Sequence, residues 1–266
     1  MAAHTINEVI QQLEDIITTS ADTNSRLGFF AALYHKVTVR VQEGILNHEF
    51  EDGPRMEKLD VTFANRYIEA VRQYKNGQPP TGSWLVAFEG AEKSSVLVLQ
   101  HLLLGMNAHI NLDLGIAAVE TSGDQDIRFI RRDFNTINDI LGSLTGEVLT
   151  EINRISPFLS LLGLNAGNNE SILIQFSLTN ARDGAWRFAE ELSEKKGADY
   201  TACIAARDAG IGKLAVGLLQ PAGKLIKFTV WIIRLFEWRS PRRIIQALYA
   251  AKRAYIRVSA QPALQP

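Results

Sequence analysis

From Ser94 to Leu112 the chain carries no fully charged residue, and across this run lies QHLLLGMNAHINLDL, Gln100–Leu114. An apolar stretch of this length has to leave water, either in a membrane or at the centre of a folded domain. The rest of the chain must be arranged around it. The same stretch bears His101, Asn107, His109, Asn111 and Asp113. A bilayer centre penalises such groups heavily, and no Lys/Arg cluster flanks both ends, so a buried core helix is the better reading. Burying these groups without partners costs roughly 2–7 kcal/mol each. They are therefore expected to pair with one another, with water or with a metal.

A chain of 266 residues, 46% hydrophobic and 21% charged, can bury a sizeable core. Its formal net charge of −1 lacks the basic excess of a nucleic-acid binder, so no nucleic-acid partner is expected. The single cysteine, Cys203, excludes an intramolecular disulfide and a thiolate-rich metal site, and reads as a small buried apolar residue. The opening MAAHTINEVIQQLED lacks the basic start and apolar core of a signal peptide and reads as an amphipathic helix. A cytoplasmic protein is the expectation.

Helical periodicity covers nearly every segment, and no convincing strand pair is found. Thr5-Ile-Asn-Glu8 has the form of a capping box, followed by Val9, Leu13, Ile16 and Ile17 at helical spacing over residues 1–22. A second helix is expected from about Thr23 to Leu46, despite the β-branched run Val37–Val41. Pro54 suits a first helical turn, and Lys75-Asn-Gly77 supplies a stop. Ser83 is expected to cap a short helix with Trp84 and Phe88. After TSGDQD, Ile127 to Leu141 marks one helix, and a separate one runs from about Leu144 to Ile155. Pro157–Asn169 is the least regular region. Helices over Ser171–Ser193 (with Phe176 on its stripe), Ala198–Leu219 and Lys224–Arg239 follow, and Ser240-Pro241 opens a last one. The tail 258–266 reads as frayed. The expected fold is one all-α, bundle-like domain of eight to ten helices.

The combination of LDVTFANRYIEAV, the Trp84…Phe88 pair, LLLGMNAHINLDLG, DFNTINDIL and ARDGAW resembles domain-of-unknown-function family 5995, over roughly Leu27 to Leu248. The resemblance implies an all-helical fold and no established activity. It marks Asp60, His109, Asp113, Asp133, Asn138, Arg182 and Asp183 as positions to watch, and it adds Asp52.

His109 and Asp113 stand at i and i+4, close enough to meet on one helix face. Either both ligate a metal ion, or Asp113 accepts a hydrogen bond from the imidazole and fixes its tautomer. His101 lies about 12 Å along the helix from His109, too far to share one ion, and is at most a neighbour of the site. Asp60 shares a face with Phe63, Ala64 and Tyr67 and so points toward the core, as a further candidate ligand. The loop His48, Glu49, Glu51, Asp52 reads as solvated, with Asp52 the member to keep. His101, Asn107, Tyr67, Arg182, Asp183 and Trp186 are candidate pocket-lining residues. Arg182 could neutralise Asp113 or Asp60, which would make either a poorer metal ligand.

No glycine-rich phosphate loop, Gly-x-Ser-x-Gly, His-Glu-x-x-His or Cys-x-x-Cys is present. The segment KLIKFTVWIIRLFEWRSPRR, with Trp231 and Trp238, has the ingredients of a membrane-surface helix. Its apolar residues nevertheless continue round much of the helix, which fits burial better, so membrane contact is not expected. Two functions remain. The first is a metal-dependent hydrolase of an ester or phosphoester, with a divalent cation held by His109, Asp113, Asp60 and Asp52 and activating water. Its likeness to the zinc phospholipase C and nuclease group is one of architecture alone. The second is a non-catalytic helical protein whose polar core is structural or lines a pocket for a mainly apolar small molecule.

Overall fold

Val98–Ser122 is one long helix, α5, and it passes through the middle of the molecule. The computed structural model describes residues 1–162, 168–220 and 223–259, with side chains described outside 168–178 and 251–259. Within these residues there are ten helices, the chain is 81% helical and no strand is present, so the protein is an all-α single domain. The other helices are α1 (Ile6–Asp22), α2 (Gly28–Leu46), α3 (Gly53–Lys75), α4 (Gly82–Ala91), α6 (Arg131–Ile155), α7 (Asn168–Ser193), α8 (Gly197–Leu219), α9 (Lys224–Phe236) and α10 (Pro241–Ser259). Helix α5 is surrounded by α2, α3, α4, α6, α7 and α8, while α1 and α10 pack on the outer side of α2. By length and composition α5 could cross a membrane, but 78% of its most apolar window is buried inside the protein.

The start of α5 lies in the interior, where its free N–H groups need acceptors. Glu237 supplies one, taking the Val98 N–H at 3.0 Å, while Gln100 takes the Leu97 N–H at 3.0 Å. Gly123, with φ +57°, ends the helix in the left-handed region. Midway along, Gly105 lets α2 approach closely: a Cβ there would sit 2.4 Å from the Phe30 ring.

Local signals explain several boundaries. Thr5 accepts from the Glu8 N–H at 3.2 Å, and the Glu8 carboxylate reaches back to the His4 N–H at 2.7 Å. Asp52 caps α3 by accepting from the Arg55 N–H at 3.0 Å, with Pro54 in the first turn. Other expectations are corrected. The second helix begins at Gly28, because Thr23 closes α1 instead. Arg131–Ile155 is one continuous helix, since nothing near Leu144 interrupts it. Ser83 lies inside the first turn of α4. The acceptor there is the Asp208 carboxylate of α8, at 2.6 Å from the Gly82 N–H and 2.9 Å from the Ser83 N–H. Residues 163–167 of the irregular region, the Phe176 side chain and residues 260–266 of the tail lie outside the described residues.

The largest departure is α9. Of its side chains only Ile233 is buried, and Leu225, Ile226, Phe228, Trp231, Leu235 and Phe236 are exposed. Among the described elements it leans chiefly on the short 3-10 turn Leu159–Leu162. Apolar residues round much of a helix do not bury it when its neighbours are few.

Candidate functional site

The backbone of α5 changes where the polar residues fall. His109–Asp113 forms a π-turn, with the Leu114 N–H donating to the His109 carbonyl. Such turns are rare and cluster at functional positions. Both side chains turn inward, with His109 2% and Asp113 1% exposed.

Asp113 is well supplied with donors. Arg66 of α3 donates from Nε to Oδ1 at 2.9 Å, and the Trp84 indole of α4 donates to Oδ2 at 2.8 Å. The His109 Nδ1 is 3.5 Å from Oδ2, at the outer limit of a hydrogen bond. Arg66 also approaches Glu120, at 3.6 Å. The expected role of Arg182 as the partner of Asp113 therefore falls to Arg66. The imidazole of His109 stacks on Phe63, with ring centroids 3.5 Å apart and planes 8° from parallel, and Tyr34 meets it edge-on at 4.4 Å. Burial holds its pKa below the ordinary value, against the opposing pull of Asp113. A carboxylate can only accept, so Nδ1 carries the proton of the neutral ring and Nε2 is an acceptor. That Nε2 is buried without a partner.

Asp60 is also inward, 4% exposed. Its Oδ2 meets no hydrogen-bond partner, and burial, helped by the charge of Glu57, pushes its carboxyl up to about 8. At neutral pH it holds its proton. The remaining expected site residues are dispersed. Asp52 is the α3 cap. Asn107 ties α5 to α8 by donating to the Ile211 carbonyl at 3.1 Å. His101 borders a separate small pocket with Arg26, Leu27 and Phe88, and burial and nearby arginines take its pKa down to about 3. Tyr67 packs on Trp84, with centroids 5.0 Å apart. Trp186 packs on Phe134 at 5.0 Å, and Asp183 is exposed. Asp133 latches the loop before α3, accepting from the Glu51 N–H and from Arg55, both at 2.7 Å. Cys203 is half-buried rather than buried, and burial raises its thiol pKa. Among the described residues no three of His, Cys, Asp and Glu are gathered as a metal ion would require.

The structure does bring His109 and Arg182 to one place. A cavity of about 120 Å³ lies between α2, α3, α5 and α6, with Arg182 entering from α7. Its walls include Phe30 and Tyr34 of α2, Phe63 of α3, Met106 and His109 of α5, and Leu141, Thr145 and Ile152 of α6. Among the described residues the lining is almost wholly apolar.

Residues 6–221 match the model of a family described as a family of unknown function, DUF5995. The chain belongs to the DUF5995 family. No curated protein and no solved structure matches it. The matched span contains every residue of the Asp113 network and of the cavity, whereas α9 and α10 lie beyond it. In this DUF5995 chain, sequence reasoning passed over Arg66 and the donor role of Trp84. Both had signals: Arg66 lies three residues after Phe63, one turn along the face that meets His109, and a buried tryptophan N–H seeks an acceptor.

Proposed function

We propose that the protein binds a small, mainly apolar molecule in the cavity beside His109. The observation that carries this reading is a space of about 120 Å³ that, among the described residues, is bounded by apolar side chains with a few polar groups at its walls. Ligand sites between helices have this character. The volume is near that of an apolar cavity known to stay dry and take benzene or xenon, about 150 Å³. An occupant with roughly six carbons fits.

The metal-dependent hydrolase reading draws less support from the same geometry. Both Asp113 oxygens are held by Arg66 and Trp84, and a carboxylate paired with guanidinium is a poor ligand. Asp60 keeps its proton at neutral pH, and Asp52 is spent on a helix cap. His109 then stands without the carboxylates that a catalytic cation needs.

The test is thermal unfolding with and without 1-hexanol, for the wild-type protein and for Val148→Phe, which fills the cavity. Ligand binding to the folded state alone raises stability, so the wild-type midpoint should rise while that of the variant stays. No rise in the wild type, together with metal-dependent ester hydrolysis lost in His109→Ala, would restore the hydrolase reading.

A further inference from the structure

We infer that the molecule held in this cavity is a monocarboxylate, and that Arg182 is the residue that receives its acid group. The inference rests on the cavity reading above and goes one step further, to the chemistry of the ligand's head. Arg182 is 4% exposed and lines the cavity. Its Nη2 donates to the Phe134 carbonyl, and its guanidinium carbon lies 4.4 Å from the centroid of the Phe134 ring. Its Nε is buried with no acceptor at all. A neutral carbonyl and a ring face are thus the partners of a buried cation.

Elsewhere the protein treats its buried charges differently. Lys36, 5% exposed, is paired with Glu147 at 3.0 Å, and the buried Asp133 with Arg55 at 2.7 Å. The charge of the exposed neighbour Asp183 acts on Arg182 from a distance, but no carboxylate among the described residues forms such a pair with it. Deprotonation offers no escape, because a guanidinium remains charged at neutral pH. Burial does move Arg182 down to about 9, which still leaves it charged at pH 7. An unpaired buried charge is strongly unfavourable; an anion arriving with the ligand would remove that penalty.

The class of anion follows from the surroundings. Among the described residues Arg182 is the one fixed charge on the cavity wall, and a single negative charge balances it. A planar guanidinium matches the two oxygens of a carboxylate. A dianionic phosphate ester would leave one charge uncompensated among apolar side chains. The space for the tail is that of a short alkyl chain or one aromatic ring.

The experiment is calorimetric titration of the full chain at pH 7 with sodium hexanoate and, separately, with 1-hexanol, repeated on Arg182→Met and Arg182→Lys. Hexanoate should bind the wild type at least tenfold more tightly than hexanol. Arg182→Met should lose at least tenfold in hexanoate affinity, with an unchanged far-ultraviolet circular dichroism spectrum and cooperative thermal unfolding showing that the variant is folded. Arg182→Lys should retain part of the preference. In the wild-type complex the carboxyl of 13C-labelled hexanoate should titrate below its free value. Equal affinity for the two probes in the wild type, or a hexanoate preference that survives in Arg182→Met, would overturn the assignment of the acid while leaving the apolar cavity intact. Binding of neither probe would overturn both.

Discussion

Asp113 and Arg182 are both buried and oppositely charged, yet the protein provides for them in opposite ways. Around Asp113, two other helices and the imidazole one turn away converge on one carboxylate: a guanidinium at 2.9 Å, an indole at 2.8 Å and a histidine at 3.5 Å. Arg182 is offered one carbonyl and the face of one ring. The first arrangement is complete and joins α3, α4 and α5. The second leaves one buried N–H without an acceptor, on a residue that lines an apolar cavity. A satisfied buried charge is a fastener, whereas an unsatisfied one beside empty space is the mark of a ligand site.

The sharpest way to break this contrast is to remove each charge and compare stabilities. Asp113→Ala should cost about 3–5 kcal/mol in urea unfolding, because it strands a guanidinium and a buried indole N–H. If it costs no more than Arg182→Met, the distinction between fastener and site is lost. Asp60 supplies the next largest effect. Its pKa is raised in the folded state, to about 8, so it binds more protons folded than unfolded between about pH 4 and pH 8. Its contribution is full below the unfolded value and is lost as pH rises through the folded one. Stability should fall by a few kcal/mol across that window, and Asp60→Asn should flatten the profile. Gly105→Ala comes next: a methyl group directed into Phe30 at 2.4 Å should cost about 1–3 kcal/mol by overpacking. It should also disturb hexanol binding, since Phe30 lines the cavity. The smallest change is expected for Arg182→Met, neutral or about 1 kcal/mol more stable in the same urea assay, because it removes an unpaired charge at similar volume.

Local chemistry made much of the fold legible before the coordinates. The Thr5 cap, the Asp52-Gly-Pro54 start of α3 and the burial of the uncharged run as α5 each follow from residues within a few positions of one another. The inward turn of Asp60, His109 and Asp113 was legible for the same reason, since helical spacing assigns a face. Long-range pairing was not legible. Asp208 caps a helix 125 residues earlier in the chain, and nothing near Ser83 reveals it. Arg66 rather than Arg182 meets Asp113, because partner choice depends on which helices become neighbours. The π-turn was equally hidden: its signal is a backbone bond pattern and not a residue pattern. Helix α9 marks the limit of reading burial from composition, since its apolar surface is real but its neighbours are few.

Xenon is the plainest probe of the proposed apolar site between His109, Met106, Leu141 and Arg182. A crystal held under xenon pressure should show a xenon peak in that cavity, with the Asp113 network unmoved. Ordered water filling the space and hydrogen-bonded to His109 Nε2 and Thr145, or a metal ion at bonding distance from His109 in crystals grown with divalent cations, would contradict the account.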